Sequence, residues 1–269
     1  MRAGRLKTKR YKTGRGMGPW AMLLLGAALG LGAAALRGER PSVLSAPPAA
    51  TKAPIAEKTE TRTVTLNAKS WYALQLGVFD SREAALQTAK AYRARGAGGY
   101  VFEKDGCRAL AAAYETRADA QAVMTRLKER HGVDTAVVEV ALPAVTLRLS
   151  GRGSQLTALS DAWDAMEKLT GHLCALSLSL DRGEIPLSDV RAALFSERDT
   201  LNALREGLLS RFGQQPPEAV AALERVLSEC AQSLEEALNA STAVGLGAQV
   251  KYCHLQCLCE MAAYAASLY

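Results

Sequence analysis

The sequence predicts an α+β chain: a βαββαβ module over 69–142, then an all-α helical bundle over 154–269, both behind a single N-terminal transmembrane helix. Three observations predict it. Short apolar runs alternate with polar residues between 71 and 142, with helical stretches among them. From 154 onward, apolar residues recur every three or four positions in four successive stretches. And 20 uncharged residues, "MGPWAMLLLGAALGLGAAAL" at 17–36, follow a strongly basic start.

The start explains the charge. The chain has 269 residues, a net charge of +6 and 49% apolar residues. Residues 1–16 hold Arg2, Arg5, Lys7, Lys9, Arg10, Lys12 and Arg15 and no acid. Taking those seven from the 33 bases leaves 26 against the chain's 27 acids, a balance of −1. The basicity is a cytoplasmic tail and not a groove-binding surface, so no nucleic-acid partner is expected.

At 1.5 Å per residue the span at 17–36 reaches about 30 Å, one hydrocarbon core. The basic side of a span stays in the cytoplasm. The expected placement is therefore the cell membrane, single-pass, with the N-terminus cytoplasmic and the C-terminus extracytoplasmic. A cleaved signal peptide ending near the "AAA" at 33–35 is the rival reading, and it too exports the remainder. Gly26 and Gly30 form a GxxxG spacing at which two such helices pair as a homodimer. Residues 37–68, with Pro41, Pro47, Pro48 and Pro54 among Ala, Thr and Ser, read as a linker without apolar period.

In the module, Tyr72, Leu74, Leu76 and Val78 alternate with Trp71, Ala73, Gln75 and Gly77, which predicts a strand. Ser81 is a suitable N-cap for a helix over 81–96. "GYVFEK" (99–104) and "CRALAAAY" (107–114) flank Asp105-Gly106, a hairpin turn signal. A second helix over 116–132 ends at Gly132, and "DTAVVEVAL" (134–142) is a last strand. Two βα units around a hairpin give an antiparallel four-stranded sheet with both helices on one face. The Tyr72/Leu74/Leu76 side takes those helices. Gln75 and Trp71 are then expected on a bare opposite face.

The run Leu74-Gln75-Leu76-Gly77-Val78-Phe79, with "GCRALAAAY" and the regular helices between, resembles a SPOR domain, the peptidoglycan-binding module of bacterial division and sporulation proteins. The resemblance covers about 69–142 and implies a ferredoxin-like fold that recognises denuded septal glycan strands through its open sheet face. It implies a glycan site of Gln75 and Arg108, with Trp71 as a stacking surface. Val78 stands where family members often carry a small polar residue, and Gly106 where several carry an exposed aromatic. A SPOR-like module followed by a helical tail also resembles, in architecture, the stage II sporulation protein B group.

The helical region divides at Gly183, Gly213 and Gly245, and loops this short make a four-helix bundle. It holds Cys174, Cys230, Cys253, Cys257 and Cys259, with His172 and His254 close to two of them. Cys253 and Cys257 share a helix face at i, i+4. The compact C-x2-C spacing of common zinc modules is absent, so no metal ligand is assigned. Disulfides across the bundle and buried free thiols are both open. His131 reads as a C-terminal cap group. The acid pairs Glu235/Glu236 and Asp161/Asp164 read as solvated faces. No Ser/His/Asp order, phosphate loop or nucleophile elbow is present, so no catalytic residue, cofactor or enzyme activity is expected.

The expected function is a membrane-anchored peptidoglycan-binding protein of division or sporulation. The alternative is a non-enzymatic envelope scaffold. It would act through transmembrane dimerisation and a protein partner of the bundle, with the module not binding glycan.

Overall fold

A computed structural model describes residues 58–104, 106–213 and 215–268. The basic tail, the apolar span with its Gly26/Gly30 pair, and the linker up to residue 57 lie outside the described residues, as does Asp105. Among the described residues no helix is long and apolar enough to cross a membrane.

In chain order the elements are β1 (Thr59–Leu66), β2 (Lys69–Phe79), α1 (Arg82–Arg93), β3 (Tyr100–Glu103), β4 (Cys107–Tyr114), α2 (Arg117–His131), β5 (Ala136–Leu142), β6 (Val145–Arg152), α3 (Gly153–Arg182), α4 (Leu187–Phe212), α5 (Glu218–Leu238) and α6 (Ala243–Ser267). Among the described residues the fold is α+β, with six helices and two antiparallel sheets.

The larger sheet has the order β3-β4-β2-β5. Tyr72 pairs with Tyr114 of β4 and Glu139 of β5, so β2 is central. The β2–β4 ladder slips at Gln75 and slips back at Gly77. A Cβ on Gly77 would lie 2.8 Å from the Phe79 ring, so glycine is required for that ring to fold back on its own strand. Local chemistry sets the helix ends. The Ser81 hydroxyl accepts from the Ala84 amide at 3.2 Å, and Thr116 accepts from Asp119 at 3.1 Å. Gly132 closes α2 at φ 63°, the left-handed region that favours glycine.

The second sheet corrects the linker boundary. Residues 59–66 were expected to end the linker, yet they form β1, paired along its length with β6 from Thr59↔Arg152 to Leu66↔Val145. "TETRTVTL" offers only Val64 and Leu66 as an apolar signal, and its partner lies about 80–90 residues away. The β-branched threonines suit a strand, but only the non-local pairing makes one. The ribbon's inner side packs Leu66 and Val145 into the core, against α3.

α3, α4, α5 and α6 form a closed four-helix arrangement with contacts α3·α4, α4·α5, α5·α6 and α6·α3. Gly245, expected between helices, lies inside α6, whose N-cap is Thr242. The Thr242 hydroxyl accepts from the Gly245 amide at 3.0 Å.

The expected bare sheet face is covered. α6 packs across β3, β4 and β5. One continuous core runs from Trp71, Ala73, Leu110 and Val140 of the sheet to Leu255, Leu258 and Met261 of α6. The opposite face holds a smaller cluster in which Leu74 and Ala112 meet Ala120 of α2, with Tyr72 and Leu76 packed beside them. The sheet is thus a middle layer between α1/α2 and the bundle. The cause is hydrophobic: a large indole and a valine on that face would otherwise remain in water. α6 is broadly apolar, with Leu246, Val250, Leu255, Leu258 and Met261 among its buried residues, and a surface that wide needs cover from the sheet as well as from the bundle.

The candidate sheet face

Trp71 is fully buried, at 0% exposure. It pairs with Val140 of β5, and its ring meets the His254 ring of α6 edge to face at 4.9 Å and 79°. The Lys69 ammonium stands 4.7 Å from the indole centroid. Trp71 Nε1 and His254 Nε2 are buried and find no hydrogen-bond partner among the described residues. Burial, aided by the nearby Lys69 charge, lowers the His254 pKa to about 3, so the imidazole is neutral in the fold. Trp71 therefore does not serve as an exposed stacking platform. It is a core residue joining sheet to bundle.

Gln75 and Arg108 are brought together. Arg108 Nη1 donates to Gln75 Oε1 at 2.6 Å, and Arg108 Nε donates to the Lys104 carbonyl at 3.0 Å. Both side chains are half-buried. Arg108 sits opposite Val78, which is 50% exposed. The pair retains further N–H donors for hydroxyl or carbonyl acceptors. The half-buried Phe79 ring, folded over Gly77, is the aromatic left near it, because the aromatics of β3 are taken up by the bundle. Tyr100 of β3 meets Tyr252 of α6 edge to face at 5.5 Å, and Phe102 packs against the core. The three expected glycan residues thus separate into a polar pair at the end of the sheet and an indole beneath α6.

α6 approaches this closely because of the α1–β3 loop. A Cβ on Gly98 would lie 3.0 Å from the Lys251 backbone, from Leu255 Cδ1 and from the Ala111 carbonyl. Lys251 anchors the contact, donating to the Gly96 carbonyl at 2.9 Å and to Asp181 at 2.6 Å. Lys251 and Tyr252 were not singled out by sequence, and His254 was noted only for its nearness to the cysteines. The available signal was the breadth of the apolar surface on 243–267, wider than one bundle stripe needs.

The cysteines take separate environments. Cys257 Sγ lies 2.8 Å from Cys230 Sγ. Cys253 donates to the Ser233 carbonyl at 3.0 Å, and Cys174 faces the Ala113 carbonyl at 3.9 Å. Burial pushes Cys174 up to about 11 and raises Cys253, Cys257 and Cys259 further. His172 is exposed and bonds Glu197 at 2.6 Å, away from any thiol contact. Among the described residues no group of three His, Cys, Asp or Glu is placed to hold a metal ion. Glu235 is engaged by Arg198, and Glu236 accepts from Gln249 at 3.2 Å. His131 lies in the last turn of α2, where a basic residue suits the helix end.

Comparison with protein-family models, curated proteins and solved structures matches nothing to this chain.

Proposed function

We propose that this chain is a non-enzymatic, membrane-anchored scaffold of the cell envelope, whose SPOR-like, ferredoxin-like module uses its glycan-type sheet face to carry its own C-terminal bundle. The tail over 1–16 stays in the cytoplasm, and the span over 17–36 anchors it. The folded part stands outside, where the bundle meets a protein partner. Pairing through Gly26 and Gly30 would present two such bodies together. The observation that supports this reading is Trp71 at 0% exposure against His254. A sugar platform must be accessible, and this one is the most deeply buried aromatic of the sheet.

A second reading keeps peptidoglycan as the ligand, held by Gln75 and Arg108 alone at the uncovered end of the sheet. The half-buried 2.6 Å pair beside exposed Val78 favours it. With only the half-buried Phe79 ring near the pair to stack on, such binding would be weak.

Cosedimentation of the detergent-solubilised full chain with intact and amidase-treated sacculi separates the two. The scaffold reading expects the chain in the supernatant with both. Pelleting with denuded glycan only, abolished by Gln75→Ala and Arg108→Ala, would replace it with the glycan reading.

A further inference from the structure

The facing sides of α5 and α6 form an antiparallel ladder of small and polar side chains. Gln249 Nε2 donates to Glu236 at 3.2 Å, Ser233 Oγ lies 2.9 Å from Cys253 Sγ, and Cys230 Sγ lies 2.8 Å from Cys257 Sγ. Each rung steps back three residues on α5 and on four on α6. Small side chains let the two backbones come close, which is what a disulfide between helices requires. Cys230 and Cys257 are each at 0% exposure, and their sulfurs lie within the ordinary contact distance of two sulfur atoms.

We propose that Cys230 and Cys257 are a disulfide-forming pair that fastens α5 to α6 when the chain folds in an oxidising compartment. The setting rests on the extracytoplasmic placement proposed above, while the pairing rests on the geometry. The other four cysteines are placed elsewhere: Cys253 is held by Ser233, Cys174 faces β4, Cys107 is in β4 itself, and Cys259 lies by Tyr100 of β3.

The chemistry is thiol–disulfide exchange with an exogenous disulfide. One cysteine loses its proton, and its thiolate attacks the donor S–S bond. A mixed disulfide forms and one donor thiolate leaves. The second cysteine's thiolate then attacks the protein sulfur of the mixed disulfide, which forms the Cys230–Cys257 bond and expels the second donor thiolate. Two protein thiols are oxidised, the donor disulfide is reduced to two thiols, and the protons lost by the protein end on the donor sulfurs. Both sulfurs are buried once α6 has packed, and burial holds the Cys257 thiol protonated. The exchange therefore belongs to folding and not to the finished fold. The bond spans a sequence separation of 27 residues and fixes the helix that covers the sheet.

The test uses the detergent-solubilised full chain in two samples. One is unfolded, reduced, and refolded in a mixture of oxidised and reduced glutathione. The other is taken from its native cells with thiols trapped by alkylation at lysis. Peptide mass spectrometry of the refolded sample is expected to find Cys230 joined to Cys257, with the other four cysteines alkylated. Its urea midpoint should fall on adding dithiothreitol, and that of the C230A/C257A chain should not move. Six alkylated cysteines after refolding, or a bond between other cysteines, would overturn the proposal. The bond in the refolded sample but not in the cellular one would uphold the pairing and overturn the extracytoplasmic placement.

Discussion

Trp71 of β2 and His254 of α6 meet edge to face in the centre of the protein, 4.9 Å apart, and neither is more than 1% exposed. This contact turns a sheet face that alternation alone would leave open into an internal boundary.

Trp71→Ala should therefore behave as a core truncation. The expected cost is about 3–5 kcal/mol, read from the urea midpoint of the folded chain. An exposed platform residue would cost within about 0.5 kcal/mol. A change that small would mean the face is free in solution.

The same contact makes the fold acid-sensitive. His254 titrates near 3 in the fold because burial disfavours its charge, whereas an unfolded histidine titrates near 6.5. Above that unfolded value both states hold it neutral and stability is unaffected. Below it the unfolded chain binds a proton that the native chain does not. Stability then falls as pH drops toward 3, by up to about 1.4 kcal/mol per pH unit. Urea midpoints between about pH 7 and pH 5 should decline for the native sequence. They should decline less for His254→Leu, and equal slopes would remove His254 as the cause.

Gly98→Ala should push α6 off the sheet. The new methyl meets two backbone atoms, the Ala111 carbonyl oxygen and the Lys251 carbonyl carbon, each at 3.0 Å, and backbone yields less readily than a side chain. Overpacking of this kind costs about 1–3 kcal/mol. Hydrogen exchange should accelerate along α6 and the α1–β3 loop before it does in α4. Unchanged exchange would show that the loop relaxes without moving the helix.

Gln75→Ala and Arg108→Ala each remove one side of a half-buried hydrogen bond. The expected loss is about 0.5–1.5 kcal/mol each. The double variant should lose less than the two losses combined, because both delete the same bond. A double-mutant cycle on thermal or urea unfolding measures that coupling, and additivity would mean the 2.6 Å contact contributes nothing to stability.

The local elements were legible in sequence because their signals are local. Period-two alternation marked β2 and put Leu74 on the α1/α2 side, Ser81 capped its helix, and recurring leucines marked α3 to α6. The strand β1 was not legible, since Thr-rich "TETRTVTL" becomes a strand only by pairing with β6 far along the chain. Likewise the polar pair could be named residue by residue. That Gln75 and Arg108 spend their first hydrogen bond on each other follows only from the register of β2 on β4.

By itself the sequence determined which residues are apolar, at what period, and so which segments are strands and helices, β1 and β6 excepted. Periodicity says that a surface must be covered but not by what. Alternation put Trp71 on a face expected to stay open and α6 carried more apolar surface than a bundle stripe uses, yet nothing local joins residue 71 to residue 254. The tertiary structure made that join, and with it decided that the expected binding face is an interior one and that Cys257 faces Cys230 and not Cys253. The physical reason is that hydrophobic burial is non-directional. The choice among possible covers falls to shape, here the gap left by Gly98 and the small side chains between α5 and α6.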